Sequence, residues 1–359
     1  MRRKESAGSQ DSTGTARYQE TASRVRFTGP RSIEVEQHSI PQPAAHELLI
    51  ETEVSAISAG TEGLLYRNEA PDGIDTDEFL PSLDGDLSYP LSYGYACAGR
   101  VIDGGQAVDE DWLDTRVFVY HPHASHVIAT PETVLTIPDA LSLEEATLLA
   151  NMETAVTFLL DGRPMLGERV LVFGQGVVGL LTTALLAAMP VASLLTVDAY
   201  ELRREVSEEI GADQSFSPHG SGLESGIHST WNRGADLVYE LSGNPDALNT
   251  GIALCGYGGR VIVGSWYGEK QATLDLGGRY HRDRIEIQSS QVSTLPPSVR
   301  GRISRERRHH IAWEWLESLN LGDFFTHRFP VSDAPEAYRL LDEHPEETVQ
   351  VLLTYPSTS

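Results

Sequence analysis

The sequence predicts an α/β fold, a doubly wound parallel sheet joined to a second, mostly β part. Three observations carry this. From Arg169 onward short apolar runs alternate with helix-period segments: "RVLVFG", "VVGLLTTALLAAM", "SLLTVDA", "ELRREVSEEIGA", "ADLVYELSG", "PDALNTGIALC", "GRVIVGS" and "IEIQSSQV". That order feeds right-handed crossovers into one parallel sheet. Ahead of it, from Arg24, the pattern is strand-like, and "HELLIETEVSAIS" alternates apolar and polar residues. Finally, the first strand-to-helix turn of the alternating half carries glycines in G-x-G-x-x-G spacing.

In chain order, residues 1–22 are polar, Ser/Thr/Gly-rich and without periodicity, which predicts a disordered tail. The strand in "HELLIETEVSAIS" is expected to turn at "AGTE". An acidic loop, "RNEAPDGIDTDEFLPSLDGD", precedes short strands around "CAGRVID" and "TRVFVYH". The segment "LEEATLLANMETAVTFLLD" reads as one helix over 143–161. After the alternating half, an Arg-rich helix "SRERRHHIAWEWLES", a helix "DAPEAYRLLDEH" and a strand "TVQVLLTY" close the chain.

Composition narrows the function classes. The 359 residues carry 52 acidic and 27 basic side chains, a net charge of -25, and only Lys4 and Lys270 are lysine. Carboxylates in place of lysine suit a cytoplasm of molar salt, where the Debye length falls to about 3 Å, so a halophile is expected. So acidic a chain should repel nucleic acid, which needs clustered Lys and Arg. The sequence offers no apolar run long enough to span a membrane and no secretory leader, so a cytoplasmic protein is expected. The two cysteines, Cys97 and Cys255, give no disulfide framework and read as core residues.

The chemistry begins at "RVLVFGQGVVGLL". Gly174 suits the tight turn, Gly176 lets a pyrophosphate approach the backbone, and Gly179 lets helix and strand pack closely. The helix start offers unpaired N–H groups at Val177 and Val178. Asp198 ends the next strand, 19 residues past Gly179, where a carboxylate accepts hydrogen bonds from an adenosine ribose and repels a 2'-phosphate. NAD is therefore expected over NADP. Arg203, five residues on, is placed to brace the ribose or adenine, or to reach a 2'-phosphate should Asp198 turn away.

From "VLVFGQGVVG", "YELSGNPDAL", "GGRVIVGS" and "THRFPVSDAPEAYRLL" the chain resembles the medium-chain dehydrogenase/reductases, the superfamily of the zinc alcohol dehydrogenases. The resemblance implies a Rossmann NAD-binding domain over 152–293. It also implies a discontinuous GroES-like catalytic domain over 23–151 and 294–359, with the active site between the two. Thr154 matches a threonine that touches the nicotinamide carboxamide, and Ser242, Gly264, Ser265 and Ser290 follow strands that end near the ring. The family's catalytic zinc ligands fall on Ala59, Tyr95 and Ala150, in "AGTE", "GYA" and "LANMETA". None suits zinc, and the four-cysteine structural lobe is missing, so no metal ligand is assigned. "ISAGTE" and "PLSYGYACAGRV" resemble the branch containing bacteriochlorophyllide a dehydrogenase. A homodimer through the strand "IEIQSSQV" is a further family-level expectation.

Without zinc, hydrogen-bond donors must stabilise an alkoxide. Thr61, where the family keeps a hydroxyl relay, and Tyr95, in place of a histidine ligand, are the candidates; the plainer roles are a turn cap and a filled pocket. Asn151 and Glu153 are polar residues in an apolar helix start, and a salt bridge is the ordinary role for Glu153. "YHPHASHVI" holds His121, His123 and His126. Extended backbone at Pro122 puts the first two on one face and the third on the other, so one of them, taken as His123, is a candidate proton carrier or substrate contact rather than part of a metal site. The expected function is NAD(H)-dependent, zinc-independent hydride transfer between a small-molecule alcohol and its carbonyl. Reduction of a quinone or enone C=C bond, and non-catalytic nucleotide binding, are the alternatives.

Overall fold

A computed structural model of the protein describes residues 21–71, 73, 86–220 and 222–356. Most of the proposed tail and much of the acidic loop lie outside the described residues. Thr21 and Ala22 do not belong to a tail: they open strand β1 (Thr21–Gly29), which pairs antiparallel with β2 (Ser32–Ser39).

The first half continues through β3 (Leu48–Ala56), α1 (Ala59–Arg67), β4 (Cys97–Gly104), β5 (Arg116–Val119), β6 (His126–Ala129) and β7 (Val134–Thr136). The expected turn at "AGTE" is instead the first turn of α1. Glu62 reaches back and accepts the Ser58 N–H through Oε1 at 2.7 Å, closing the helix start. The single helix expected over 143–161 is two, α2 (Leu143–Ala146) and α3 (Leu149–Gly162). Ser142 starts the first with a reciprocal capping box to Glu145.

The alternating half forms β8 (Arg169–Phe173), α4 (Val177–Ala187), β9 (Ser193–Val197), α5 (Glu201–Glu209), β10 (Gln214–Phe216), α6 (Gly222–Thr230), β11 (Ala235–Glu240), α7 (Pro245–Leu254), β12 (Cys255–Val263) and β13 (Glu286–Ser289). All its strand pairs are parallel, in the order β10-β9-β8-β11-β12-β13. Numbered from β8, that is 3-2-1-4-5-6, the doubly wound arrangement in which direction reverses beside the first strand. The chain ends with α8 (Arg305–Ser318), β14 (Phe325–Pro330), α9 (Ala334–Glu343) and β15 (Gln350–Thr354). β15 pairs antiparallel with β3, matching Leu352 to Ala56 and Leu353 to Ser55. The last segment thereby completes the sheet that began near residue 48, in the order β14-β15-β3-β4-β5-β7.

A buried cluster including Phe118, Met152, Val156, Leu180, Leu316 and Leu352 joins the two sheets through α3, α4 and α8. Each such side chain contributes roughly 1.5–3 kcal/mol by leaving water. α3 runs back along β13: Asp161 accepts from Gln288 (3.0 Å) and Ser290 (2.6 Å), and Arg308 bridges Thr157 (3.1 Å) and the Val292 carbonyl (2.7 Å). Its N-terminal turns, with Ala150, Glu153 and Thr154, therefore project beyond the carboxyl end of the parallel sheet, where such sheets bind ligands. Among the described residues no helix is long and apolar enough to cross a membrane.

Candidate active site

The glycine turn between β8 and α4 is shaped by close contacts. Gly174 has φ +86°, and a Cβ there would lie 2.6 Å from the Leu241 and Ser242 backbone. A Cβ on Gly179 would meet the Gly174 carbonyl at 1.9 Å. Gly176 is the open position: a Cβ would find nothing nearer than Arg203 Nη1, at 3.9 Å. No side chain caps α4, so the N–H groups of Val177 and Val178 face this opening. The residues present fit a dinucleotide pyrophosphate.

Asp198 is nearly buried at the end of β9, and its oxygens accept the N–H groups of Gln175 (2.7 Å) and Tyr200 (2.9 Å). Arg203 turns away from it: Nε and Nη2 donate to the carbonyls of Thr348 (2.9 Å) and Pro345 (3.0 Å), leaving Nη1 toward the glycine turn. The guanidinium at the strand end is instead Arg204, which donates to the Asp198 and Ala199 carbonyls, both at 2.9 Å. Sequence reasoning passed over it.

The hydroxyls expected near the ring are used to build loops. Thr154 donates to the Ala150 carbonyl (2.9 Å), Ser290 to Asp161, and Ser242 to the Glu240 carboxylate, while Ser265 accepts from Gly243 N (2.8 Å). A Cβ on Gly264 would strike Phe158 at 2.3 Å, so this glycine lets α3 lie against β12.

At Tyr95, a position the resemblance gives to a zinc ligand, the structure brings Tyr95 and Thr61 together. The Tyr95 hydroxyl donates to Ser58 Oγ and lies 3.5 Å from Thr61 Oγ1. Behind them Glu62 has no exposed surface; it takes the Ser58 N–H on one oxygen and Tyr338 OH and His123 Nε2 (3.0 Å) on the other. His123 Nδ1 meets Ser55 Oγ at 2.7 Å, and Ser55 meets Tyr355 OH at 3.0 Å. This corrects the expectation for His123. With no exposed surface and both nitrogens committed, it supports Glu62 and touches no substrate.

The other two histidines diverge. His121 Nδ1 faces the Pro122 carbonyl (2.8 Å) and His126 pairs with Ser125 (3.0 Å). Burial lowers both pKa values, favouring neutral rings. Cys97 is buried, its thiol pushed up to about 12, so it is no thiolate donor. Among the described residues the one grouping with metal-like spacing is the exposed trio His344, Glu346 and Glu347 on the C-terminal segment. The positions of Ala59, Tyr95 and Ala150 therefore do not fit a zinc ion.

A second polar cluster stands on α3. Glu153 is buried and accepts from Arg308 Nε (3.0 Å), His309 Nε2 (2.9 Å) and Tyr120 OH. Burial raises its pKa, but His309 and Arg308 outweigh that and hold the carboxyl below its ordinary 4.5. Burial also pushes the Tyr120 phenol well up, reinforced by Glu153 and opposed by Arg308 and Arg305. The sequence named Glu153 but not its partners, which lie on β5's exit and on α8, 155 residues away for Arg308.

Residues 177–305 match the zinc-binding dehydrogenase family. D-guloside 3-dehydrogenase of Escherichia coli is 24% identical over 345 residues, covering 91% of this chain and 98% of that protein. The structure of 2R,3R-butanediol dehydrogenase from Bacillus subtilis superposes with a TM-score of 0.77 at 18% identity, over 94% of this chain and 100% of that one. An alcohol dehydrogenase of Escherichia coli CFT073, solved with NADH, superposes at 0.76 and 17%, over 93% and 99%. Fold, family match and relatives support the medium-chain dehydrogenase/reductase superfamily. The doubly wound sheet and the mixed sheet completed by β15 are those of its Rossmann and GroES-like parts.

Proposed function

We propose that the protein is an NAD(H)-dependent oxidoreductase interconverting an alcohol and its carbonyl, in a branch of the superfamily that works without zinc. The observation that carries this is the pairing of an intact glycine cradle with a hydroxyl cluster at Tyr95, a position the resemblance gives to a zinc ligand. When bound, the nicotinamide supplies or accepts the hydride. The relatives and neighbours named above, dehydrogenases of alcohols and a sugar derivative, one of them solved with NADH, support an alcohol as substrate and a nicotinamide as cofactor. Asp198 favours NAD, since a carboxylate there repels a 2'-phosphate.

In this reading the Tyr95 hydroxyl turns its single proton from Ser58 Oγ to the substrate oxygen and stabilises the alkoxide, while the Ser58 hydroxyl rotates to donate to the phenol oxygen. Ser58 and Thr61 hold the phenol. Glu62, fixed by His123 and Tyr338, fixes Ser58 in turn, so that the donor is aimed before substrate arrives.

The test joins binding, metal content and turnover. NADH fluorescence titration should give an affinity at least about tenfold tighter than for NADPH, or 1.4 kcal/mol. A panel of ketones and aldehydes should be reduced ahead of enones and quinones. Inductively coupled plasma mass spectrometry should find well under one zinc per chain. Tyr95→Phe should lower turnover by about a hundredfold with NADH affinity unchanged. A stoichiometric zinc, or full turnover in Tyr95→Phe, would sink the zinc-free mechanism.

A further inference from the structure

The arginines at the start of α8 are the largest feature that the proposed chemistry leaves unused. Between Ile287 and Trp313 the chain has a single carboxylate, Glu306, although 52 of its 359 residues are acidic. The same stretch packs Arg300, Arg302, Arg305, Arg307 and Arg308 into nine positions. Elsewhere several exposed arginines are paired, Arg100 with Glu53, Arg328 with Glu144 and Arg339 with Glu336; of those that form no ion pair among the described residues, Arg163 and Arg233 stand singly and Arg282 and Arg284 as a pair in sequence. Arg300, Arg302 and Arg307 are exposed, and among the described residues they form no ion pair. In a chain of net charge -25, these three gather beside a single carboxylate in sequence, Glu306, and pair with none among the described residues.

Their place is fixed by hydrogen bonds to the parallel sheet. Arg308 donates to the Val292 carbonyl and Arg305 to that of Ser293 (3.1 Å), in the strand exit that follows β13. Arg307 Nη1 donates to the Arg302 carbonyl (3.1 Å), tying the helix to the preceding turn. The cluster is therefore pinned at the carboxyl edge of the sheet, on the side of the cradle and of the projecting start of α3. Arg308 and His309 are committed to Glu153; the outer arginines are not.

We infer that Arg300, Arg302 and Arg307 receive the anionic end of the substrate, so that the alcohol or carbonyl compound turned over here carries a phosphate ester or a carboxylate away from its reacting carbon. Guanidinium forks match both oxyanions in bidentate fashion. A group of arginines on a chain of net charge -25 also steers anions toward it. The word substrate rests on the oxidoreductase reading, but the binding event does not.

The test is isothermal titration of the full chain, saturated with NADH, with inorganic phosphate and separately with succinate, at ionic strength held constant by KCl. Saturable binding of at least one anion is expected, weakened at least tenfold in R302E/R307E and in the milder R302Q/R307Q, with NADH affinity within twofold of wild type. Binding of phosphate alone identifies a phosphate ester, and of succinate alone a carboxylate. The inference is overturned by the absence of saturable binding, by binding that both variants retain, or by anions that compete with NADH. A wild-type protein that fails to bind NADH defeats the proposed function instead, and the anion titration is then read on the protein alone.

Discussion

The glycine turn is held by the shape of its backbone, and the Tyr95 corner by hydrogen bonds between side chains. The glycine turn admits no side chain at Gly174 or Gly179 without moving backbone, because added carbons would lie 2.6 and 1.9 Å from backbone atoms. The Tyr95 corner, one of the positions the resemblance gives to a zinc ligand, has behind it a buried network of Glu62, His123, Ser55, Tyr338 and Tyr355. A backbone constraint admits one residue type. A side-chain constraint can be met again by other groups, provided every buried polar atom finds a partner. The glycine turn is thus fixed by sterics and the Tyr95 corner by the need to satisfy its hydrogen bonds.

The largest effect should come from breaking that network at its centre. Glu62→Leu leaves His123, Tyr338 and the Ser58 N–H without their shared acceptor, at a cost of about 3–5 kcal/mol. Chemical denaturation should show the loss, while NADH affinity of the folded fraction stays within twofold of wild type. Equal losses in both would mean that the two regions are not separable.

Gly179→Ala attacks the other region and should cost about 1–3 kcal/mol, the usual range for overpacking, because the added carbon is accommodated only by displacing the Gly174 backbone carbonyl. Here the order of effects reverses: NADH affinity should fall at least tenfold by fluorescence titration, since the displaced carbonyl belongs to the cradle itself. A variant that binds NADH as wild type would show that the turn adapts without cost to the cofactor.

How much of this was legible follows the same division. The parallel sheet could be read because each strand is a continuous apolar run and its turns are marked by glycine; the exceptions are β10 and α6, whose "QSF" and "GLESGIHST" are too short or too small-residue-rich to show a period. The glycines and Asp198 were readable for the same reason. Glu62 stood in the quoted "AGTE", but its importance depends on Tyr338, 276 residues away, and on the antiparallel pairing of β15 with β3. Likewise Glu153 was visible as a misfit in an apolar helix, whereas Arg308 and His309 are joined to it only by the packing of α8 on α3. His123 misled because density of imidazole in sequence carries no information about burial.

The finest distinction between the regions lies within α3, which touches both. Its two buried carboxylates are displaced in opposite directions. Glu153, at the N-terminal end, sits with Arg308 and His309 and is held below 4.5; Asp161, at the sheet end, is raised above 3.8 by burial, which the Ser290 hydroxyl, the more distant charge of Arg163 and the Gln288 amide only partly offset. For Glu153 the unfolded chain is the better proton binder, so its contribution to stability is present above 4.5 and drains away as pH falls through the folded value. For Asp161 the folded chain is the better binder, so its effect runs the other way, favouring the fold at low pH and turning into a penalty as pH rises past the folded value. Urea midpoints measured at intervals from about pH 3 to 6 should therefore separate two variants. Glu153→Gln should flatten the acid-side loss of stability, even though it lowers stability at neutral pH by leaving Arg308 without its counter-charge. Asp161→Asn should steepen that loss by a fraction of a proton, with a neutral-pH change small beside that of Glu153→Gln, because an amide keeps the Ser290 contact through the rotatable hydroxyl. Parallel shifts in the two curves would show that one electrostatic environment spans the helix, and that the boundary between the cofactor and substrate regions does not run along α3.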